Sequence, residues 1–331
     1  MIGYLVRRVG LAAVTLLAVV FFTFVIFFKL SPDPAVLICG QTCTPETIDN
    51  IRTQLGLDRP FAVQFLTFVA GIFVGRDYGS GAGLIRCDAP CLGYSFQNRA
   101  AVTDLIADRI PVSVTVALGA ALLWLLSGVV AGLVSAIKQG TWWDRGAMMF
   151  ALGGISLPNY FVALVLQYVL VVKLKVLPFP SEAHFFDDPL HWFQTYIMPW
   201  MVLALMYASM YARLTRANVL DTLSENFLRT ARAKGLPPGL ILRRHALRPA
   251  LTPVVTIFGM DIATLLGGAL ITETVFGLSG VGKLAYDAIG KNDQPVIMAV
   301  TLLAAFFVVI SNIIVDLAYQ FLDPRVRIKA V

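Results

Sequence analysis

The chain has 331 residues, of which 58% are hydrophobic and only 14% are charged, and its mean hydropathy is +0.77. An ordinary soluble domain carries about 25% charged residues, so this composition excludes that class and favours a protein embedded in a lipid bilayer. The net charge of +6 does not indicate nucleic-acid binding, because the basic residues are divided among short segments at the ends of apolar runs, where membrane topology accounts for them.

Six apolar runs are long enough to be membrane spans, since about 20 helical residues cross the hydrocarbon core. They occupy residues 9–28, 112–137, 147–172, 197–211, 252–271 and 296–321. The fourth run is short and carries Pro199 near its start, so totals of five or seven spans stay open. The pattern predicts an all-α integral membrane protein with six transmembrane helices.

The first run follows Arg7 and Arg8, which is also the pattern of a secretory signal. It is longer than a typical signal core, and residues 30–34 contain no small-x-small cleavage site, so we favour an uncleaved anchor. With the N-terminus inside, most of the 26 basic residues fall on the cytoplasmic side, as the inside-positive rule requires. Both termini are then predicted to be cytoplasmic.

Residues 31–110 form a large first extracytoplasmic loop in this topology. Thr44 is predicted to cap a helix that has Pro45 at its first position and ends at Gly56. The apolar run at residues 61–73 is too short to span and is predicted to lie on the membrane interface. The glycine-rich stretch at residues 76–95 is typical of an exposed loop.

All four cysteines fall in this outer loop, as two C-x3-C pairs: Cys39, Cys43, Cys87 and Cys91. The spacing also occurs in zinc sites, but an oxidising compartment favours disulfides. Three pairings are possible; we favour two local bridges, and bridges between the two pairs stay an alternative. No metal site is predicted.

The cytoplasmic segment at residues 212–251 separates spans four and five. A helix is predicted to open at residues 221–225 and to place Phe227, Leu228 and Ala231 on one face, away from its basic side chains. Gly235 ends this helix, the two prolines that follow prevent its continuation, and a second short helix is predicted at residues 240–247.

Two interpretations of this segment are open on the residues alone. Two short helices joined by a Gly-Pro turn form a compact projection that could dock in a groove of a partner protein. The alternative is a solvated basic loop that does no more than obey the inside-positive rule.

Residues 229–236 (RTARAKGL) and 244–251 (RHALRPAL) resemble the EAA loop of ABC-importer permeases, in the form found in the oligopeptide/dipeptide/nickel branch. Aligned on Gly235, residues 229–231 take the place of Glu-Ala-Ala, and Pro249 comes one residue late. Four more segments resemble the same branch in the same order: LGLDRP at 55–60, RIPVS at 109–113, ETVFGLSGVG at 273–282 and DPRVR at 323–327. The resemblance covers nearly the whole chain, although residues 80–97 are longer than the family pattern.

The resemblance implies a type I ABC-importer permease fold and a single permease domain over residues 1–331, with a five-span core at 112–321. It implies a multi-pass protein of the bacterial cell membrane that imports peptides. The implied partners are a second homologous permease, two cytoplasmic ABC ATPase domains and an extracytoplasmic substrate-binding protein. The residues implied to couple to the ATPase are Phe227, Arg229, Thr230, Ala231, Arg232, Ala233, Lys234, Gly235 and Leu236.

The chain is predicted to be a non-catalytic transport subunit that binds no cofactor, with ATP and Mg held by the partner ATPases. The sequence contains no G-x-x-x-x-G-K-[ST] phosphate-binding loop. Its three histidines, His184, His191 and His245, lie in separate segments and do not form a metal-binding or catalytic set.

Pro158 and Asp261 are the span residues that invite a functional interpretation. Pro158 is predicted to kink span three, for packing or as a moving hinge. Asp261 is a carboxylate inside a span, which requires a partner or a wet cavity; a structural hydrogen bond and a pathway role both fit. Gly267 and Gly268 are predicted to permit helix contact.

Other functions stay open as alternatives. The same fold could import nickel or another chelated metal, glutathione or haem. A secondary transporter driven by an ion gradient would need intramembrane acids for coupling, and only Asp261 and Asp316 qualify.

Overall fold

The computed structural model describes residues 2–30, 33, 35–36, 44–78 and 85–322. In these ranges five helices are long and apolar enough to cross a membrane, and a bent helix pair makes a sixth span when it is counted as one. The predicted all-α membrane fold with six spans is confirmed on that count.

The first span and the two helices after it lie where the sequence predicts them. They are α1 (Ile2–Val25, continued by a π-helical turn at Ile26–Leu30), α2 (Pro45–Leu55) and α3 (Phe61–Val74). The hydroxyl of Thr44 accepts a hydrogen bond from the first turn of α2, and Gly56 ends that helix at a φ of +68°. These two predicted caps are confirmed.

The short apolar helix α3 packs against the end of α1 through phenylalanine rings. The ring of Phe24 lies 5.4, 5.5 and 5.6 Å from those of Phe61, Phe65 and Phe68. Phe24 and Phe68 are fully or almost fully buried. With 14 residues, α3 covers the side of the first span without crossing the bilayer.

Two small antiparallel hairpins follow, where the sequence predicts an exposed loop. Strand β1 (Arg76–Tyr78) pairs with β2 (Ile85–Cys87), and β3 (Tyr94–Ser95) pairs with β4 (Ala100–Ala101). The exposed-loop prediction is wrong for Tyr78, Cys87 and Cys91, which are buried together where a disulfide joins the two cysteines; residues 79–84 lie outside the described residues. One local bridge is thereby confirmed; Cys39 and Cys43 lie outside the described residues.

The second and third spans are α5 and the bent pair α6–α7. Their bounds are α4 (Val102–Ala107), α5 (Ile110–Ile137), α6 (Trp142–Ser156) and α7 (Asn159–Gln167, continued by a π-helical turn at Tyr168–Lys173). The predicted kink of span three at Pro158 is confirmed, since α6 and α7 meet at 98°. Pro158 has no N–H group, and Leu157 before it is held in an extended conformation, so the helix cannot pass through this point.

The fourth span is α8 (Pro189–Ser224), a single helix of 36 residues with Pro199 inside it. The predicted apolar run at 197–211 is its middle. Residues 212–224 of the predicted cytoplasmic segment are therefore helical, because α8 continues past its apolar part to Ser224. Asp188 caps the helix by accepting hydrogen bonds from the backbone N–H groups of Leu190 and His191.

The remaining helices are α9 (Asn226–Ala233), α10 (Pro238–Leu266), α11 (Leu270–Val275), α12 (Val281–Lys291) and α13 (Gln294–Leu322). The prediction of a separate helix at 240–247 is wrong: this segment is the first part of α10 and runs into span five. Span five ends at Leu266, before a turn in which Gly268 has a φ of +118°.

A buried acid connects the outer hairpins to the start of α13. The Ser95 hydroxyl donates a hydrogen bond to Asp293, and the Asn98 side-chain amide donates another at 3.2 Å. Burial raises the pKa of Asp293, and these hydrogen bonds oppose that shift. The β3–β4 hairpin is thus attached to the start of the sixth span through hydrogen bonds.

The centre of the molecule is the contact between α5 and α8. A Cβ atom built on Gly128 would lie 2.9 Å from the backbone oxygen of Ala208, and one on Gly132 would lie 2.5 Å from that of Ala212. The two backbones therefore touch directly, as in small-xxx-small helix pairs of membrane proteins. The predicted helix contact at Gly267 is also present, since a Cβ there would lie 2.8 Å from Ala304 Cβ.

We expect Gly128→Ala to destabilise the protein by about 1–3 kcal/mol, because the added methyl group pushes α5 away from α8. Gly153→Ala is the matched control: it is also a helix glycine, but a Cβ there meets nothing within 4 Å. Thermal unfolding in detergent measures the difference. Equal midpoints for the two variants would contradict the close packing of α5 and α8.

Candidate functional site

Helix α9 has one face buried against its own chain and one face exposed. Leu228 is fully buried and Ala231 is nearly so; both pack with Ile241 and Ala246 of α10. This small apolar cluster fixes α9 on the start of span five. Ala231, one of the predicted coupling residues, is therefore on the buried side of α9 and not on its exposed face.

The exposed face of α9 carries most of the predicted coupling residues. Phe227 has 47% of its surface exposed. Phe227, Leu228 and Ala231 share one side of the helix as predicted, within an arc of about 100°, but Phe227 lies at its exposed edge while the other two are buried. The other exposed members of the set are Arg229, Thr230, Arg232, Ala233, Lys234 and Gly235, while Leu236 is half-buried.

Gly235 ends this helix with a left-handed turn. Its φ is +78°, its N–H donates to the Arg232 carbonyl at 2.9 Å, and the Leu236 N–H donates to the Ala231 carbonyl at 3.3 Å. A Cβ at Gly235 would meet nothing within 4 Å. Backbone conformation alone therefore favours glycine here, and the surface around it is open.

A largely buried ion pair lies about three turns before α9, at the same end of the bundle. Arg216 on α8 donates to the two carboxylate oxygens of Asp144 on α6, at 2.7 and 2.9 Å. Asp144 also accepts hydrogen bonds from the Ser135 hydroxyl on α5 and from the Gly140 N–H at 2.9 Å. Three spans are joined at this carboxylate, and the sequence analysis did not identify it.

A second buried carboxylate joins two segments that the sequence analysis recognised only separately. Glu273 is fully buried and accepts hydrogen bonds from the Ser113 hydroxyl at 2.8 Å and from the Lys283 N–H at 3.0 Å. The Ser113 oxygen in turn accepts from the Val281 N–H at 2.8 Å. The motifs at 109–113 and 273–282 are thus two halves of one hydrogen-bond network.

Glycines allow this network to close. A Cβ atom on Gly280 would overlap the Glu273 carboxylate, and one on Gly282 would lie 2.6 Å from the Leu270 nitrogen. The sequence pattern that could have indicated this network is Glu273 followed by Gly280 and Gly282. Periodicity did not reveal that its partner, Ser113, lies 160 residues earlier.

The two intramembrane acids both have partners. The Tyr211 hydroxyl donates to Asp261 at 2.7 Å, which is the arrangement required by a structural role; a pathway role for Asp261 stays a prediction. Asp316 forms an ion pair with Arg8. In the described part of the chain no cluster of three or more His, Cys, Asp or Glu side chains could hold a metal ion.

Two family descriptions match this chain. Residues 1–117 match the N-terminal part of the binding-protein-dependent transport system membrane component. Residues 128–328 match the binding-protein-dependent transport system inner membrane component.

Several curated proteins are similar along their whole length. A putative peptide transport system permease protein of Brucella abortus (strain 2308) is 35% identical over 327 residues, which cover 99% of each chain. A glutathione transport system permease protein of Escherichia coli O6:H1 is 33% identical and covers 99% of this chain and 100% of its own. A dipeptide transport system permease protein of Alkalihalophilus pseudofirmus is 31% identical with the same two coverages.

A solved structure supports the fold. The inward-facing MetNI methionine ABC transporter aligns with a TM-score of 0.53 at 16% identity, over 67% of this chain and 97% of the other. Family, relatives and fold agree, so this chain belongs to the binding-protein-dependent inner membrane permeases and is an ABC-importer permease of the peptide branch.

Proposed function

We propose that this chain forms half of the pathway of an ATP-driven peptide importer and couples to cytoplasmic ATPase subunits through α9. The observation that carries the proposal is the exposed face of α9, which includes Phe227 and the left-handed turn at Gly235. The opposite face of α9 is buried against α10. A second, related permease completes the pathway, and the partner ATPases bind and hydrolyse ATP with Mg. The peptide substrate is supported by relatives named peptide and dipeptide permeases.

The contacts of α9 provide a route from that surface into the membrane. Leu228 packs on α10, and the Arg232 guanidinium donates to the Leu223 carbonyl of α8 at 3.3 Å. A force applied to α9 is therefore delivered to spans four and five together. The Arg216–Asp144 pair extends the connection to spans two and three. Movement of the ATPases would in this way reach four spans.

In the proposed orientation the N-terminus, the C-terminus and α9 are cytoplasmic, and an external substrate-binding protein sits on the outer segment. The segment's hairpins offer that protein a shaped surface, since the Cys87–Cys91 disulfide closes the turn after β2 and Asn98 of the second hairpin donates a hydrogen bond to Asp293.

Glutathione is the second candidate substrate, favoured by relatives that are named glutathione permeases. Ion-coupled transport is disfavoured, because such a transporter needs intramembrane acids that can bind a coupling ion. Asp261 and Asp316 are instead engaged with Tyr211 and Arg8.

We expect Phe227→Ala to weaken ATPase docking by about five-fold to 150-fold, because an aromatic anchor contributes about 1–3 kcal/mol to an interface. Phe186→Ala is the matched control, since Phe186 is 95% exposed in the segment between α7 and α8, at the opposite end of α8 from α9. Co-purification with the ATPase subunits and peptide uptake in proteoliposomes measure the effect. Unchanged docking in the Phe227 variant would remove α9 from the interface.

We expect Gly235→Asp to insert normally but to abolish ATP-driven uptake, because it places a negative charge beside the basic residues of the docking face. Gly235→Asn is the control, since Asn and Asp both tolerate the left-handed conformation and differ here in charge. Uptake at the normal rate with Gly235→Asp would show that the coupling assignment is wrong.

We expect Glu273→Gln to destabilise the outer ends of spans two and five by about 1–3 kcal/mol, because the new amide group faces buried donors. Uptake should fall while ATPase co-purification is kept, which separates this effect from loss of docking. Glu182→Gln, at an exposed carboxylate, is the control. A Glu273→Gln variant with wild-type thermal stability would contradict the network.

A further inference from the structure

An open apolar groove runs between α5 and α6, on the side of the bundle away from α8. Small and β-branched side chains form its walls, among them Val130, Ala131, Val134 and Ala147. The hydroxyl of Ser127, which also lines it, donates to the Leu123 carbonyl at 2.5 Å, so the groove wall offers no free O–H group. The groove is shaped for a hydrocarbon chain.

The mouth of the groove is aromatic and cationic. Trp142 and Trp143 are 83% and 66% exposed, and tryptophan is enriched where the bilayer meets water. The Lys138 ammonium lies 4.8 Å from the Trp143 ring centre, and the Arg145 guanidinium lies 5.6 Å from that of Trp142. Two cations therefore stand at the level of the lipid headgroups.

The neighbouring acid does not neutralise these cations. The oxygens of Asp144 are occupied by Arg216, Ser135 and the Gly140 N–H. Within the described ranges, neither Lys138 nor Arg145 takes part in an ion pair with an acidic side chain. The mouth keeps its positive charge.

The turn that carries the mouth is fixed in place. The Thr141 hydroxyl donates to the Lys138 carbonyl at 2.6 Å, and Gly140 adopts a φ of +80° while its N–H donates to Asp144. A site that is already ordered loses little entropy when a ligand binds.

We propose that this groove binds one anionic phospholipid, with an acyl chain along α5 and α6 and the phosphate held at Lys138 and Arg145. The proposal rests on the orientation proposed above, which places the mouth in the cytoplasmic leaflet. Charge complementarity favours a lipid over a second protein chain. An acidic headgroup can pair with both cations, whereas an apolar helix in the groove would leave them without an anionic partner.

Gly146 allows the groove to be filled without disturbing the fold. It lines the groove, it is exposed, and a Cβ built on it meets nothing within 4 Å. Gly153 lies two turns further along α6 with an equally open Cβ position but does not line the groove. Gly146→Leu therefore blocks the acyl-chain position, and Gly153→Leu is its matched control.

The experiment uses the whole importer in nanodiscs of phosphatidylcholine with or without phosphatidylglycerol, followed by native mass spectrometry of retained lipid. We expect the parent and Gly153→Leu to retain phosphatidylglycerol and Gly146→Leu to lose it. The double variant Lys138→Gln/Arg145→Gln should retain about 25-fold less, since each cation contributes roughly a five-fold factor. Arg213→Gln, at an exposed arginine of α8, should behave as the parent.

Three outcomes would overturn the proposal. Equal retention by the double variant and the parent would show that the cations do not hold the headgroup, and equal retention by Gly146→Leu would show that the groove does not hold the chain. Loss of the second permease from the Gly146→Leu complex would identify the groove as a protein interface.

Orientation and transport are checked separately. Labelling of Gln139→Cys by an impermeant maleimide, measured against the parent protein, should occur only from the cytoplasmic side, and ATP-driven uptake by the parent tests the proposed function. A wrong orientation or a wrong transport function is thus detected independently of lipid binding. Outside labelling would also overturn the assignment to the cytoplasmic leaflet.

Discussion

The direct backbone contact between α5 and α8 is the constraint on which the rest of the bundle depends. Apolar side chains gain little by leaving lipid for protein, so helices in a membrane associate through close van der Waals packing and hydrogen bonds. Gly128 and Gly132 allow this approach against Ala208 and Ala212. Once the axes are this close, Trp124 stacks on Tyr207 with ring centres 4.6 Å apart, and both central helices are registered along their length.

Because α8 is one helix of 36 residues, about 54 Å long, it connects events at both ends of the bundle. Its early turns pack over α5, where the Trp200 indole donates to the Thr115 carbonyl at 2.9 Å. Its middle supplies Tyr211 to Asp261, and its last turns supply Arg216 to Asp144 and then lead into α9. Polar contacts at three levels of one continuous helix allow it to pass a displacement to its neighbours, whereas a helix held only by apolar contacts can slide.

The sequence predicted the parts of the fold that depend on local chemistry. Apolar length located the spans, and backbone rules located the Thr44 cap, the Pro158 break and the Gly235 turn. The ends of α8 were missed, because its polar residues pair with other spans and so do not look like part of a membrane helix. The Ser113–Glu273 network was missed because each half is an ordinary short motif, and only the fold brings them together. The GxxxG pattern at 128–132 was the one available signal for the central contact.

The basic residues at the α9 end of the bundle show that one compositional rule can cover residues with different physical tasks. The inside-positive rule accounts for the presence of all of them and distinguishes none. In the structure Arg216 is largely buried and bonded to Asp144, so it holds spans together. Arg229 and Lys234 are exposed on α9, where their charge can orient a partner. Lys138 and Arg145 lie over tryptophan rings beside an apolar groove, where we propose that they hold a lipid headgroup. A basic residue that holds helices together differs from one that can bind a partner in its burial and in its contacts, and neither can be read from the sequence. Topology determines only the side of the membrane on which both kinds of residue occur.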